Sequence, residues 1–279
     1  MSEHDKFDPN GTMMINLRSS DRGKFKLTFL GTGSAFTVGD GNYQSNVLIE
    51  NLNSNRKLLI DCGGDIRFSL HDVGLKMSDI TDIYVSHPHG DHIGGLEGVA
   101  FSTKWIPNRD KTNLYVSKHF VTDLWNKSLA GGLESIEGEK ADFNTFFHVH
   151  PIGVNGRFEW QGIKFQLVQV VHIMNGYGIV PSFGLMFVLN GMTFFFTSDT
   201  QFAPHQLIKF YDQADVIFHD CETSPFKSGV HAHYEFLRTI DPKFKKKMWL
   251  YHYQAGNLPD AISDGFQGFV KKGQEFTFN

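Results

Sequence analysis

Ser86-His87-Pro88-His89-Gly90-Asp91-His92 packs three imidazoles and one carboxylate into six positions. The stretch follows an apolar run, Ile83-Tyr84-Val85, that reads as a buried strand, and precedes Gly94-Gly95 and an expected helix. Alternation at the strand end sends His87 and His89 to one side. The turn at Gly90 then brings Asp91 and His92 back beside them. Converging ligands of this kind offer two nitrogens to one metal, and a carboxylate and a nitrogen to a neighbour. Imidazole and carboxylate without thiolate suit zinc, manganese or iron in an open, catalytic site. The competing reading is a solvated loop rich in histidine, which has no need of this spacing after a buried strand.

The length of 279 residues is enough for one large α/β domain with a sizeable core. The first 23 residues or so are polar and read as a flexible lead-in, leaving residues 24 to 279 as one domain. A net charge of −4 gives no global argument for a nucleic-acid or membrane partner. The 27 phenylalanines are many, and some are expected to line a pocket or a subunit contact. With two cysteines, Cys62 and Cys221, no leader and no apolar stretch of membrane length, a reducing cytoplasm is the expected compartment and no disulfide is expected.

Strand-like segments come in quick order at Phe25–Leu30, Asn46–Glu50 and Lys57–Asp61, followed by a helix over Asp65–Leu75. Leu96–Trp105 reads as a helix, Asn113–Ser117 as a strand, and Val121–Leu129 as a helix ending at Gly131-Gly132. The second half repeats the pattern, with strands at Arg157–Trp160, Lys164–Val171, Phe183–Leu189 and Thr193–Thr197 and an Asn190-Gly191 hairpin turn. A helix at Pro204–Tyr211, a strand at Val216–His219, a helix at Tyr234–Ile240 and a strand at Lys247–Tyr251 complete it. The fold class is therefore α/β, with two sheet halves flanked by helices.

A two-metal site needs ligands from distant strands. His172 ends the apolar run Phe165 to Val171, Asp199 follows Phe194-Phe195-Phe196-Thr197, and His252 ends Met248-Trp249-Leu250-Tyr251. Each stands at the C-terminal end of an apolar strand, where α/β sheets place their chemistry. Taken singly, each has an ordinary alternative as a core histidine or a turn-forming aspartate.

The signature resembles that of the metallo-β-lactamase fold hydrolases. Phe29-Leu30-Gly31-Thr32-Gly33-Ser34-Ala35 looks like the opening strand and glycine turn of their ribonuclease Z-like phosphodiesterase branch, and Leu58 to Gly63 resembles the strand before the first helix. The similarity runs from about Phe25 to the C-terminus. It implies a four-layer αββα sandwich and a residue-by-residue ligand set. His87, His89 and His172 would hold one divalent cation, and Asp91, His92 and His252 the other, with Asp199 between them. The pair, Zn2+ with Mn2+ as the alternative, would lower the pKa of a bridging water and so supply a hydroxide nucleophile. Val216 to Glu222 resembles the branch's strand ending in an acidic residue, and His231 matches its general-acid histidine before a helix starting at Tyr234. Asp220 fits the orienting carboxylate, with Glu222 second. His233 is read as a phosphate ligand or a helix cap, with the choice between His231 and His233 as general acid left open. His219 is expected to face away from the site, and His148 and His150 to be surface residues.

Within the branch, transfer-RNA processing needs a basic protruding arm, and no Lys/Arg-rich insertion is present. The segment Tyr251-His252-Tyr253-Gln254-Ala255-Gly256 also lacks the arginine typical of ribonuclease Z. The chain looks most like the anti-Pycsar phosphodiesterases, which open cyclic pyrimidine monophosphates. That resemblance implies a small cyclic nucleotide substrate and a homodimer. The loop from Met174 to Phe183 places Tyr177 over a base, in a dimer contact, or simply packed on a hairpin. Ribonuclease Z-type cleavage of precursor transfer RNA is the runner-up, and a non-catalytic scaffold that kept the fold is the reading from another class.

Overall fold

Residues 24–39 and 41–278 are described by a computed structural model; the lead-in expected over residues 1 to 23 lies outside them. In chain order the first strands are β1 (Phe25–Gly31), β2 (Asn46–Asn51), β3 (Lys57–Ile60), β4 (Asp82–Val85) and β5 (Thr112–Ser117). A small hairpin, β6 (Ser135–Ile136) and β7 (Glu139–Lys140), precedes β8 (Phe147–Ile152). The second half contains β9 (Arg157–Trp160), β10 (Ile163–Met174), β11 (Ile179–Leu189), β12 (Met192–Phe196), β13 (Val216–Asp220), β14 (Met248–Tyr251), β15 (Gly268–Phe269) and β16 (Glu275–Phe278).

Two seven-stranded sheets result, ordered β16-β1-β2-β3-β4-β5-β8 and β15-β14-β13-β12-β11-β10-β9. Each begins as an antiparallel meander and turns parallel, from β3 onward in the first and from β12 onward in the second. Their inner faces meet in an aromatic core. Phe29 lies 5.0 Å from Phe218, and Phe196 stacks on Tyr251 at 4.7 Å. Most of the large buried side chains are phenylalanines of this layer, among them Phe25, Phe165, Phe187 and Phe194. The phenylalanine excess is thus spent chiefly between the sheets, with Phe36 and Phe226 left exposed.

Helices cover the outer faces. Ile66 and Leu70 of α1 (Ile66–Asp72) are buried, as are Leu96 and Val99 on the helix Leu96–Lys104, which follows α2 (Gly90–Ile93) and is α3. Next come α4 (Val121–Asp123), α5 (Ala130–Leu133) and α6 (Phe143–Phe146). On the second sheet, α7 (Pro204–Gln213), α8 (Tyr234–Leu237) and α9 (Pro242–Lys245) press Leu207, Tyr211, Leu237 and Phe244 onto outward-facing Val170, Phe195, Ile217 and Leu250. The four-layer αββα metallo-β-lactamase architecture follows directly.

Two segments differ from the sequence expectation. The helix at Val121 does not stop at Gly131-Gly132 but continues through a π-helical turn, Leu124–Leu129, into α5. Gly132 is helical there, with the end of the Glu97 side chain lying against it. The expected loop from Met174 to Phe183 is mostly strand. Pairing of β10 with β11 reaches Met174 and Ile179, leaving only residues 175 to 178 as the turn. Asn190-Gly191 does form the next hairpin turn, with φ of 48° and 78°.

Candidate dimetal site

The carboxyl ends of the parallel strands gather along one edge of the sandwich, and each leaves its sheet through an unusual backbone. Asp61 after β3, Ser198 after β12 and His252 after β14 all have positive φ, at 61°, 54° and 62°. A non-glycine residue held there costs roughly 1–3 kcal/mol and persists only where its surroundings enforce it. A register shift between Val171 and Ile173 puts His172 at a β-bulge, which re-aims its side chain.

These turns bring the expected residues into two sets that share Asp199. In the first, His87 Nε2 lies 3.0 Å from His89 Nδ1, which is 3.1 Å from His172 Nε2. Asp199 Oδ2 stands 3.7 Å from His87 Nε2 and 3.9 Å from His172 Nε2. In the second, His92 Nε2 is 3.1 Å from Asp91 Oδ2 and 3.2 Å from Asp199 Oδ2. His252 Nε2 is 3.3 Å from Asp91 Oδ2 and 3.6 Å from Asp199 Oδ2. Donors around a tetrahedral zinc, at about 2.0–2.1 Å from the metal, sit about 3.3 Å from one another. Both sets match that spacing, and the buried Asp199 Oδ1 has no hydrogen-bond partner among the described residues. The donor set therefore fits a pair of divalent cations.

The outer contacts fix which nitrogen each imidazole presents. His172 Nδ1 donates to the Val230 carbonyl at 2.9 Å, so Nε2 offers a lone pair to the cluster. His92 Nδ1 meets Asp61 Oδ2 at 2.8 Å in the same way. The Asp61 carboxylate also accepts the Ser86 amide and hydroxyl, both at 2.8 Å, and Ser86 Oγ stands 3.0 Å from His87 Nδ1. Asp61 was not singled out in the sequence, although it carries the cue that identified Asp199, an acid closing an apolar strand. Burial and the neighbouring imidazole of His92 hold the His87 pKa well below its usual value. Burial likewise lowers His89 and His172. His252 is desolvated too, yet Asp199, Asp220 and Asp91 outweigh this and push it up to about 10. His92 is also raised, by Asp199, Asp91 and Asp61 against its burial.

His231 Nδ1 lies 2.8 Å from Asp220 Oδ2 and 3.9 Å from Asp199 Oδ2. Asp220 is fully buried, accepts the Thr200 amide at 2.9 Å, and stands 3.3 Å from His252 Nδ1. Burial opposes a charge on His231, but the Asp220 carboxylate raises its pKa overall. A cavity of about 490 Å³ opens over the cluster, lined by Phe36, His89, Asp91, His172, Val230 and His231 among others.

Two expected substrate contacts lie elsewhere. His233 caps α8, where Nδ1 accepts the Glu235 amide at 3.2 Å and Nε2 meets the Ser224 carbonyl at 3.0 Å. With both nitrogens engaged, it has none to offer a phosphate. Tyr177 is fully exposed at the β10–β11 tip and does not line the cavity. Glu222 does not touch His231 but binds the following loop. His219 turns away from the site and bonds Tyr211 Oη at 2.7 Å. His148 and His150 are exposed on β8, and both cysteines are buried free thiols.

The family model of the anti-Pycsar protein Apyc1 matches residues 25–276. The Apyc1 of Bacillus phage vB_BveM-Goe7 is 32% identical over 261 residues, covering 90% of this chain and 97% of the relative. That of Paenibacillus harenae is 34% identical over 229 residues, covering 81% and 89%. Among solved structures, a diphosphatase of the PhnP family superposes with a TM-score of 0.70 at 20% identity, over 91% of this chain and 98% of that one. The chain belongs to the anti-Pycsar protein Apyc1 family and has the metallo-β-lactamase fold.

Proposed function

We propose that the protein is a dimetal phosphodiesterase that hydrolyses small cyclic nucleotides. The observation that carries this reading is the union of two sets of metal donors through Asp199 with a carboxylate-held histidine on the wall of one cavity. In this reading His87, His89 and His172 hold one cation, Asp91, His92 and His252 the other, and Asp199 contacts both. Zn2+ suits these donors best, with Mn2+ next. Bound there, the cations supply a hydroxide near neutral pH and offset charge on the phosphoryl oxygens.

The chain's own groups do the rest. Asp220 accepts Nδ1–H of His231, which leaves Nε2 as the atom that carries a proton toward the leaving oxygen. The upward shift that Asp220 imposes favours the protonated form. Phe36 is 95% exposed on the cavity rim, yet its loop is pinned by Thr37 N to Ser34 O and by Gln44 Nε2 to Ala35 O, each at 3.0 Å. An aromatic face held out beside a phosphoryl site suits a flat base, and every base can stack on it.

The reading includes a homodimer in the cytoplasm. The exposed Met174, Tyr177 and Ile179 at the β10–β11 tip support the dimer, and light scattering during gel filtration measures it. Among the described residues no helix is long and apolar enough to cross a membrane. The decisive test is hydrolysis of cyclic mono- and dinucleotides alongside a precursor transfer RNA, with Zn2+ and Mn2+. Turnover of cyclic nucleotides that vanishes in Asp199→Ala is expected. Trimming of the transfer RNA with no action on cyclic nucleotides would overturn the substrate.

A further inference from the structure

We infer that Glu222 is a positioning residue that sets the loop carrying His231. The inference rests on the general-acid assignment above. Glu222 follows Asp220 by two residues beyond β13 and is nearly as buried, at 3% exposure, yet it makes no contact with the metal donors. Its carboxylate instead reaches forward along the chain. The oxygens accept the Ser228 amide at 3.0 and 3.2 Å and the Ser224 hydroxyl at 3.1 Å. A carboxylate with two oxygens on one backbone amide fixes the position of that amide more firmly than a neutral acceptor does.

The base of the loop is closed around this contact. The Glu222 main chain pairs with the far side through Glu222 N to Ala232 O and Tyr234 N to Glu222 O, both 2.9 Å. His233 Nε2 ties down the Ser224 carbonyl at 3.0 Å. What the loop delivers lies just past the held amide. Gly229 takes a positive φ of 78°, the Val230 carbonyl fixes the His172 tautomer at 2.9 Å, and His231 meets Asp220 at 2.8 Å. One carboxylate thus sets both a histidine of the first donor set and the proton carrier, without touching either.

The test uses metal-loaded Glu222→Ala, Glu222→Gln and Glu222→Asp, and a series of synthetic phosphodiesters with progressively poorer leaving groups. Glu222→Ala should lose about 10–100-fold in kcat on poor leaving groups, the usual worth of such an outer contact, with KM little changed. On a nitrophenyl diester, which needs little protonation, the loss should fall below about threefold. Hydrogen exchange read by mass spectrometry should quicken over residues 224 to 230 and nowhere else. Glu222→Gln keeps an acceptor for the Ser228 amide and should retain most of the rate. Glu222→Asp, too short to reach it, should repeat the alanine pattern even if the alanine variant fails to fold. Unchanged kcat in Glu222→Asp, or equal losses on good and poor leaving groups, would overturn the inference. The series needs no natural substrate. A wild type that cleaves it but leaves cyclic nucleotides intact refutes the substrate reading alone.

Discussion

His231 separates proton delivery from metal binding, because it touches Asp220 and lies within 3.9 Å of Asp199 without joining either of the two four-residue donor sets. His231→Ala should keep two metals by elemental analysis yet lose roughly 10²–10⁴ in rate on alkoxide leaving groups. A nitrophenyl phosphodiester should lose far less, and equal losses on both would reassign the residue to phosphate binding. A second expectation concerns protons. In the metal-free protein His252 sits at about 10 and His92 is raised well above its usual value, whereas His87, His89 and His172 sit below theirs. Filling the second donor set at pH 7 should therefore release protons, and more of them than filling the first. Calorimetry in buffers of differing ionisation heat counts them, and metal affinity should weaken as pH falls. Zero release at pH 7 would show that the two imidazoles are already neutral. The same raised pKa stabilises the metal-free fold fully below pH 6.5 or so, a contribution lost as pH rises through about 10.

At the scale of elements, the fit between β11 and β12 decides where Asp199 sits. A Cβ on Gly184 of β11 would stand 2.6 Å from the carbonyl oxygens of both Phe196 and Thr197, the backbone that leads into Asp199. Gly184→Ala should therefore destabilise by about 1–3 kcal/mol, the usual cost of forcing extra atoms into a packed core. Denaturant titration measures the loss, and metal content should fall with it if the strand shifts. Wild-type stability with full metal content would mean that β12 gives way without cost. The strands were legible from the sequence because apolar runs of four to eight residues bounded by Gly, Asn or Asp have few other uses. The bulge at His172 and the left-handed turns at Asp61, Ser198 and His252 were not, because pairing across the sheet imposes them rather than local propensity. The helix at Gly131-Gly132 was misread for a related reason. The two glycines read as a stop signal, but the helix runs on through them, with packing rather than local propensity setting its end. His233 was ambiguous between ligand and cap until Ser224 was seen to take its second nitrogen.

Over the whole molecule, the seven donors come from four places in the chain, and only the signature is local. The rest were found because an α/β sheet delivers polar residues at its strand ends, a rule that fixes the position of a side chain but not its partners. Charge sets the substrate class at this scale. The chain carries a net charge of −4, and several of its lysines stand in surface pairs such as Lys26 with Glu275, Lys104 with Glu139 and Lys243 with Asp212. A protein that grips a nucleic-acid backbone through six to ten phosphates loses about 10³–10⁵ in affinity between 50 and 200 mM salt. In the proposed reading a cyclic monophosphate offers a single phosphate, whose charge would be met inside the cavity rather than along a basic surface. Its KM should therefore change by less than about threefold over that range, since only one or two screened contacts contribute. Steady-state kinetics on a cyclic nucleotide at fixed metal and graded potassium chloride reads this directly. A steep rise in KM would mean that an extended anion is the true ligand, and would return transfer-RNA processing to the front.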